Sequence, residues 1–224
     1  MGRPVTRKHV AVLISGRGSN LQALIEACRA PTFPAKIVLV VSNVPSAQGL
    51  LRAEAGLIPT LTINHKDFAS REDFDTALDA ALREAGIELL CNAGFMRLHT
   101  EGFVRNWWNR HLNIHPSLLP AFQGLHTHAR VLDEGVKISG CTVHFVRPEM
   151  DAGPIVAQAA VPVLPGDTPD SLAARVLQAE HRLYPHALRL VASGAIRVEG
   201  EIVVGMTQAR DQAAFFSPPL DEAL

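Results

Sequence analysis

The first half of the chain alternates short apolar runs with segments in which apolar residues recur at helical spacing. Runs that are apolar almost throughout are typical of parallel strands buried on both faces, and they lie at 9–14, 36–42, 58–63 and 87–93. The amphipathic segments between them lie at 21–28, 47–55 and 70–85. This alternation indicates βαβ units, so we predict an α/β fold with a Rossmann-like, mostly parallel, twisted sheet and helices on both faces. Such sheets bind ligands at the carboxyl ends of their strands.

The second half of the chain has longer loops between its apolar runs. Its pattern predicts a short strand, a proline-rich loop, a helix, two strands, a long helix and a hairpin through Glu199 and Gly200, at 111–114, 116–124, 127–134, 138–146, 155–163, 170–191 and 196–204. There is no repeat, low-complexity segment or clear linker, so we expect one domain over residues 1–224. The tail from about residue 217 is expected to be disordered.

The composition is that of an ordinary globular protein. Of the 224 residues, 47% are hydrophobic and 19% are charged, and the formal net charge is −1. Because lysine and arginine are scattered along the chain, we do not expect nucleic acid as a partner, although one or two well-placed groups suffice for a small anion. No apolar run approaches the length needed to span a membrane, and the basic first residues precede only a short strand. We therefore expect a cytoplasmic protein that does not contact a membrane.

Neither the cysteines nor the paired histidines have the spacing of a metal site. Cys28, Cys91 and Cys141 are far apart and lie in apolar runs, which is typical of buried, reduced thiols. His126 and His128 have no third ligand nearby and lack the i, i+4 spacing of a helical metal pair. We expect these two histidines to pack in a loop beside the site, and we predict no bound metal.

A glycine-rich loop joins the first predicted strand to the first helix. Its sequence, GRGSN at 16–20, leads into a helix N-terminus, where unpaired N–H groups favour an anion such as phosphate. The loop is neither a dinucleotide fingerprint nor a Walker A motif, so it implies neither a dinucleotide nor ATP. The residues alone leave two interpretations open: a phosphate site, or a tight turn in which Asn20 caps the helix.

Two polar residues lie at the end of the predicted strand at 111–114. Asn113 and His115 are two positions apart, so strand periodicity directs both side chains to one face before Pro116 ends the strand. An amide N–H can stabilise an oxygen that gains charge, and an imidazole can move a proton near neutral pH, so the pair suits attack of an amine on a carbonyl carbon. Taken singly, a capping asparagine and a structural histidine are the simpler interpretation.

A candidate carboxylate lies further along the chain, in a turn between two strands. Asp151 opens an Asp-Ala-Gly-Pro turn, where most such residues only hydrogen-bond their own loop. A carboxylate beside His115 would favour the imidazolium form and make the ring a better general acid. No spacing argument brings Asp151 to His115.

Several motifs, taken together and in order, carry a family resemblance. The segments SGRGSNLQALI, AGFMR, LNIHPSLLP, GLHTH, TVHFV, MDAGP and AEHRLYP resemble those of the phosphoribosylglycinamide formyltransferase (glycinamide ribonucleotide transformylase) family over about residues 10–190. The resemblance implies transfer of a formyl group from the co-substrate 10-formyltetrahydrofolate to the amino group of 5′-phosphoribosylglycinamide, in de novo purine synthesis. It divides the domain into a nucleotide-phosphate-binding half at about 9–100 and a catalytic and folate-binding half at about 101–205.

The resemblance also implies a role for each catalytic candidate. Asn113 would hold the oxyanion of the tetrahedral intermediate. His115 would act as general acid towards the folate nitrogen as it leaves. Asp151 would orient and charge His115 and would assist proton transfer through water.

Substrate contacts follow from the same resemblance. In the family, one loop holds the ribonucleotide phosphate, and its counterparts in this chain are Gly18, Ser19 and Asn20. Glu180 matches the residue that binds the ribose hydroxyls. Leu177 stands where some relatives carry a lysine that approaches the substrate, so this chain lacks that contact. The implied folate-binding residues are Arg71, Met96, Arg97, Leu98, Asn113, Val146 and Met150. The expected partners are these small molecules, with the chain a monomer or a homodimer.

Three alternatives share part of this pattern. A 10-formyltetrahydrofolate deformylase has the same Asn-His-Asp core and similar stretches at 120–124 and 134–138, but its substrate lacks the phosphoribosyl group that the GRGSN loop would hold. A transfer-RNA formyltransferase would need a basic, C-terminal RNA-binding domain. A folate- or nucleotide-binding module without catalysis has no need for all three of Asn113, His115 and Asp151.

Overall fold

The computed structural model describes residues 6–205 and Ser217. The tail expected to be disordered, from about residue 217, therefore lies outside the described residues except for Ser217. The strands are β1 Lys8–Ile14, β2 Ala35–Ser42, β3 Thr60–Thr62, β4 Leu89–Asn92, β5 His111–His115, β6 Ile138–Phe145, β7 Ile155–Pro162, β8 Ile196–Glu199 and β9 Ile202–Gly205. The helices are α1 Ser19–Cys28, α2 Gly49–Ala55, α3 Arg71–Glu84, α4 Glu101–Asn106, α5 Thr127–Asp133 and α6 Pro169–Ala192, with a 3₁₀ turn at His65–Asp67. Helix α4 and the 3₁₀ turn have no counterpart in the sequence prediction.

Seven of the strands form one sheet in the order β3-β2-β1-β4-β5-β6-β7, and β8 and β9 form a separate hairpin. Strands β1 to β5 pair in parallel. Strand β6 pairs antiparallel with β5 on one side and with β7 on the other. The predicted mostly parallel α/β fold is therefore confirmed. Strand β1 lies between β2 and β4, so the direction of winding reverses there. The loops that follow β1 and β4 open at this switch point, where doubly wound sheets bind ligands.

Apolar side chains cover both faces of the sheet. On one face, residues such as Cys91 and Leu112 pack with α1 and α6, and on the other Leu13 and Leu90 pack with α3. The three cysteines are free and buried, as predicted. Burial raises the pKa of the Cys91 thiol to about 12, so that group stays protonated. None of the helices in the described part of the chain is long and apolar enough to cross a membrane.

Candidate active site

The glycine-rich loop begins α1 without a side-chain cap. Gly18, the residue before the helix, has φ 70°, in the left-handed region that favours glycine, and no side chain accepts a hydrogen bond at this end. A Cβ on Gly18 would lie 2.7 Å from the Cα of Gly49, so the backbones of the loop and of α2 touch here. The Gly49 N–H also donates to the Gly16 carbonyl at 3.0 Å. The first N–H groups of α1 are therefore held in place and left for a ligand.

Asn20 does not cap α1, so that interpretation is wrong. It lies inside the helix, and its Nδ2 donates to Glu180 Oε2 at 2.7 Å, although 160 positions separate the two residues. Both side chains are buried, and the Asn20 Oδ1 has no partner within the described residues. Burial raises the pKa of the Glu180 carboxyl, and the Asn20 hydrogen bond only partly offsets that rise. The pair thus presents buried oxygen acceptors, which suit hydroxyl donors of a ligand.

Asn113 is fixed by a neighbouring histidine on β6. It pairs across the strands with His144, and its Nδ2 lies 3.2 Å from His144 Nε2. The Nδ1 of His144 lies 3.0 Å from the Phe145 carbonyl, so Nδ1 carries the hydrogen and Nε2 accepts from Asn113. Burial lowers the pKa of His144, which keeps the ring neutral in this tautomer. One N–H of the Asn113 amide is thereby used, and the other is left for a ligand oxygen.

His115 is buried between a carbonyl and a carboxylate. Its Nε2 donates to the Phe122 carbonyl at 2.9 Å, and its Nδ1 lies 3.3 Å from Asp151 Oδ2. The Phe122 carbonyl can only accept, so Nε2 carries a hydrogen, whereas Nδ1 faces the carboxylate at ion-pair distance and makes no hydrogen bond to a described residue. Because Nε2 is committed to the backbone, Nδ1 is the ring atom able to give up a proton.

Asp151 joins two loops. Its Oδ2 accepts from the Gly124 N–H at 2.9 Å, and its carbonyl accepts from Gln123 Nε2 at 3.1 Å. Asp151 itself has φ 54°, in the left-handed region, which aspartate tolerates better than most residues. The structure therefore brings Asp151 to His115, which the sequence spacing did not predict.

The loop after His115 is anchored from β6. The buried Thr142 hydroxyl donates to the Ser117 carbonyl at 2.7 Å and accepts from the Leu119 N–H at 3.0 Å. A cis peptide bond joins Leu119 to Pro120 in the same loop. These contacts place Phe122, whose carbonyl accepts from His115.

The residues that the resemblance gives to the folate lie on the loops after β4 and β6, at the start of α3 and, for Asn113, on β5. Met96 and Leu98 follow β4 and are 67% and 56% exposed, which is unusual for such apolar side chains, and Met150 is 49% exposed in the loop of Asp151. Between Met96 and Leu98, the Arg97 guanidinium lies 5.1 Å above the Phe74 ring. Val146 begins the loop of Asp151 and is half-buried. Arg71 is exposed at the first turn of α3, and no described side-chain contact ties it to the others.

The paired histidines lie beside the site. His126 precedes α5 with φ 55°, and His128 lies in the first turn of that helix. Burial lowers the pKa of His128. Among the described residues, no group of three or more histidine, cysteine, aspartate or glutamate side chains could hold a metal ion.

Two residues at the site have roles that the sequence reasoning missed. His144 lies on β6, and its contact with Asn113 depends on the β5–β6 register, which no local pattern gives. Arg147 carried no sequence signal at all. Its guanidinium is buried behind the loop of Asp151 and forms an ion pair with Glu201 of the terminal hairpin.

The fold and this constellation are those of a formyl-transferring enzyme. The formyl transferase family model matches residues 8–188, and the chain belongs to that family. It is similar to phosphoribosylglycinamide formyltransferase of Escherichia coli, with 43% identity over 190 residues, 85% of this chain and 90% of that protein. It is also 56% identical to the trifunctional purine biosynthetic protein adenosine-3 of Gallus gallus over 189 residues, 84% of this chain. This chain spans 19% of the length of that larger protein.

Solved structures of the same family superpose closely. Glycinamide ribonucleotide transformylase 1 from Symbiobacterium toebii has a TM-score of 0.88 and 46% identity, covering 90% of this chain and 95% of that one. Phosphoribosylglycinamide formyltransferase from Brucella melitensis has a TM-score of 0.81 and 56% identity, covering 84% of this chain and 97% of that one. The whole described sheet is therefore of a known type.

Proposed function

We propose that the chain transfers the formyl group of 10-formyltetrahydrofolate to the amino group of 5′-phosphoribosylglycinamide, giving formylglycinamide ribonucleotide and tetrahydrofolate. The observation that carries the proposal is the placing of His115 Nδ1 3.3 Å from Asp151 Oδ2, beside an Asn113 amide with a free N–H. The relatives named for this reaction support it over a deformylase, a transfer-RNA formyltransferase or a binding module.

The chemistry needs one oxyanion donor and one proton carrier. When the amine attacks the formyl carbon, the formyl oxygen gains negative charge, and the free N–H of Asn113 is directed to stabilise it. The bond from the formyl carbon to the folate nitrogen then breaks, and that nitrogen takes a proton. His115 supplies it from Nδ1, while Asp151 keeps the ring oriented and passes the proton lost by the amine, through water, back to Nδ1 of His115.

The acceptor substrate fits the other end of the site. Strand β4 separates β1 from β5, so the loop after β1 and Asn113 are two strand spacings apart, about 10 Å. That span is similar to the reach from phosphate to amine in phosphoribosylglycinamide. We assign the phosphate to the N–H groups of Gly18, Ser19 and Asn20 at the start of α1, and the ribose hydroxyls to Glu180.

The folate would lie against the exposed apolar side chains. Met96, Leu98 and Met150 would lose water when the flat pterin ring covers them, which favours binding by about 25 cal/mol per Å² of apolar surface. Val146 and Arg97 would line the same wall. Arg71, exposed at the start of α3, would meet the acidic tail of the folate.

Residues 1–224 are proposed to act as one domain. The chain is proposed to work in the cytoplasm with small-molecule substrates, as a monomer or a homodimer.

One assay tests the proposal. The protein is incubated with 10-formylfolate with and without the ribonucleotide, and the deformylated folate is measured. We expect release when the ribonucleotide is present and none without an acceptor. With the acceptor nucleoside that lacks the phosphate, we expect much less release. Release without any acceptor would establish the hydrolase instead.

A variant of His115 separates the catalytic role from the fold. His115→Ala should lower turnover by roughly 10²-fold, as is typical when a general acid is lost. The matched control is His9→Ala, because His9 is exposed on β1, five positions before its last residue Ile14. Near-normal turnover of His115→Ala would contradict the assigned role.

A further inference from the structure

A buried arginine lies at the base of the loop that carries Asp151. Arg147 is 6% exposed, and its Nε donates to Glu201 Oε2 at 2.7 Å. Its Nη2 donates to Asn109 Oδ1 at 2.8 Å, and its Cζ lies 3.8 Å above the Trp108 ring. A buried charge is tolerated when it is paired and hydrogen-bonded, and this one is held on all sides.

The side chain of Arg147 also touches the far end of the same loop. A Cβ added to Gly153 would lie 1.8 Å from the Phe145 carbonyl oxygen and 3.0 Å from Arg147 Cγ, so the Gly153 backbone packs directly on both. The Phe145 N–H donates to the Pro154 carbonyl at 2.9 Å. Arg147 therefore closes the loop at 146–154 at its base, where it packs on Gly153, two residues after Asp151.

The partner of Arg147 comes from outside the main sheet. Glu201 lies in the turn between β8 and β9, where Gly200 adopts φ 62°. The Glu201 side chain is 59% exposed, whereas that of Arg147 is 4% exposed. The terminal hairpin, which has no other role in the site, thus extends one carboxylate to the base of the Asp151 loop.

We propose that Arg147 is a positioning residue for the formyl-transfer site, and that Glu201 of the hairpin holds it in place. By fixing the base of the loop at 146–154, Arg147 sets the position at which Asp151 faces His115 and at which Met150 presents its side chain to the folate. This inference rests on the proposed function, because the constants that test it belong to formyl transfer.

A positioning role and a purely stabilising role predict different kinetics. If Arg147 only stabilised the fold, its loss would lower the melting temperature and the folded fraction, and the KM of neither substrate would change. If it positions the loop, kcat falls and the KM of the formylfolate rises, because Asp151 and Met150 shift. The KM of the ribonucleotide stays constant, because its proposed contacts are Gly18, just before α1, and Glu180 on α6.

The experiment compares Arg147→Met, Arg147→Lys and Glu201→Gln with the matched control Arg110→Met. Arg110 also stacks on a tryptophan, with its Cζ 4.9 Å from the Trp107 ring, but it donates to the Asn106 carbonyl and not to the loop. Kinetics are measured below the melting temperature of every variant, with the folded fraction taken from circular dichroism.

We expect Arg147→Met to lower kcat about tenfold and to raise the formylfolate KM several-fold, since small misplacements of catalytic groups have effects of this size. Arg147→Lys should recover part of the loss, because an ammonium can pair with Glu201 but lacks the planar fork that also reaches Asn109. Glu201→Gln should move the same two constants in the same direction but less, because its side chain is largely exposed. Arg110→Met should leave all constants unchanged.

The inference is overturned if Arg147→Met has the same constants as Arg110→Met, or if both KM values rise together. Should Arg147→Met fail to fold, wild-type constants in Glu201→Gln overturn it. If the wild-type protein transfers no formyl group, the proposed function has failed, and the inference is then judged by titration calorimetry with tetrahydrofolate. Weaker binding to Arg147→Met than to Arg110→Met supports the positioning role, and equal binding contradicts it.

Discussion

Replacing Gly18 by alanine should destabilise the protein by about 3 kcal/mol. The native φ of 70° lies in the left-handed region, which costs a residue with a Cβ about 1–2 kcal/mol. The new Cβ would lie 2.7 Å from the Gly49 Cα, a backbone atom that moves only with the start of α2, and such overpacking costs about 1–3 kcal/mol. For a chain of this length, the sum lowers the melting temperature by about 6–12 °C.

Gly16 in the same loop provides the control. A Cβ at Gly16 would meet nothing within 4 Å, and Gly16 is not among the residues with a left-handed φ. We expect Gly16→Ala to lie within about 0.5 kcal/mol of wild type. Stability is measured by calorimetry and by urea titration of both variants.

The same pair tests the phosphate assignment. Since the backbone of Gly18 sets the direction of the first N–H groups of α1, Gly18→Ala should raise the KM of the ribonucleotide and leave that of the formylfolate unchanged. Equal melting temperatures for the two variants would refute the steric reasoning. An unchanged ribonucleotide KM in Gly18→Ala would refute the loop as a phosphate site, even if the stability loss were observed.

Two further predictions concern the buried partners of the site. His144→Phe removes the acceptor that holds Asn113 and should lower kcat by roughly tenfold. His144→Gln should recover this loss, because its amide oxygen can accept in the same place. Equal kcat in both variants would contradict the prediction. Burial raises the pKa of Glu180, so the native state holds that proton more tightly than the unfolded chain and stability declines as pH rises above the usual 4.5. Glu180→Gln should therefore be more stable than wild type at neutral pH, by an amount that vanishes in acid, and should have a higher ribonucleotide KM. The free energy of unfolding of both proteins is measured by urea titration across that pH range. A difference in this free energy that does not change with pH would contradict the prediction.

The sequence predicted those parts of the site that depend on local periodicity. Asn113 and His115 lie on one strand, and a period of two fixes their common face whatever the rest of the chain does. Asp151 could not be placed in this way, because its position depends on a loop whose base is held by Arg147 and whose backbone turns into the left-handed region. Those contacts join residues that are distant in the chain, and no local pattern encodes them.

Asn20 shows how a local sequence pattern can give a wrong structural detail. An asparagine at the start of a helix commonly caps it, because its side chain competes for the free N–H groups. In this fold the helix begins at Ser19, so Asn20 lies inside the first turn, where its Nδ2 donates to Glu180 and its Oδ1 has no partner within the described residues. Glu180 is brought there by α6, which packs on α1 only in the folded chain.

Asn113 and His115, the two donors assigned to the reaction, are held in the same way. Asn113 uses one N–H of its amide on His144, and His115 uses one ring N–H on the Phe122 carbonyl. Each keeps a second N–H for the reacting groups, in an orientation that the first has already fixed. In the proposed reaction these donors would not need to reorganise as charge develops, so the arrangement would stabilise the transition state more than the bound substrate. Breaking the contact between Asn113 and His144 should therefore lower kcat before it weakens binding.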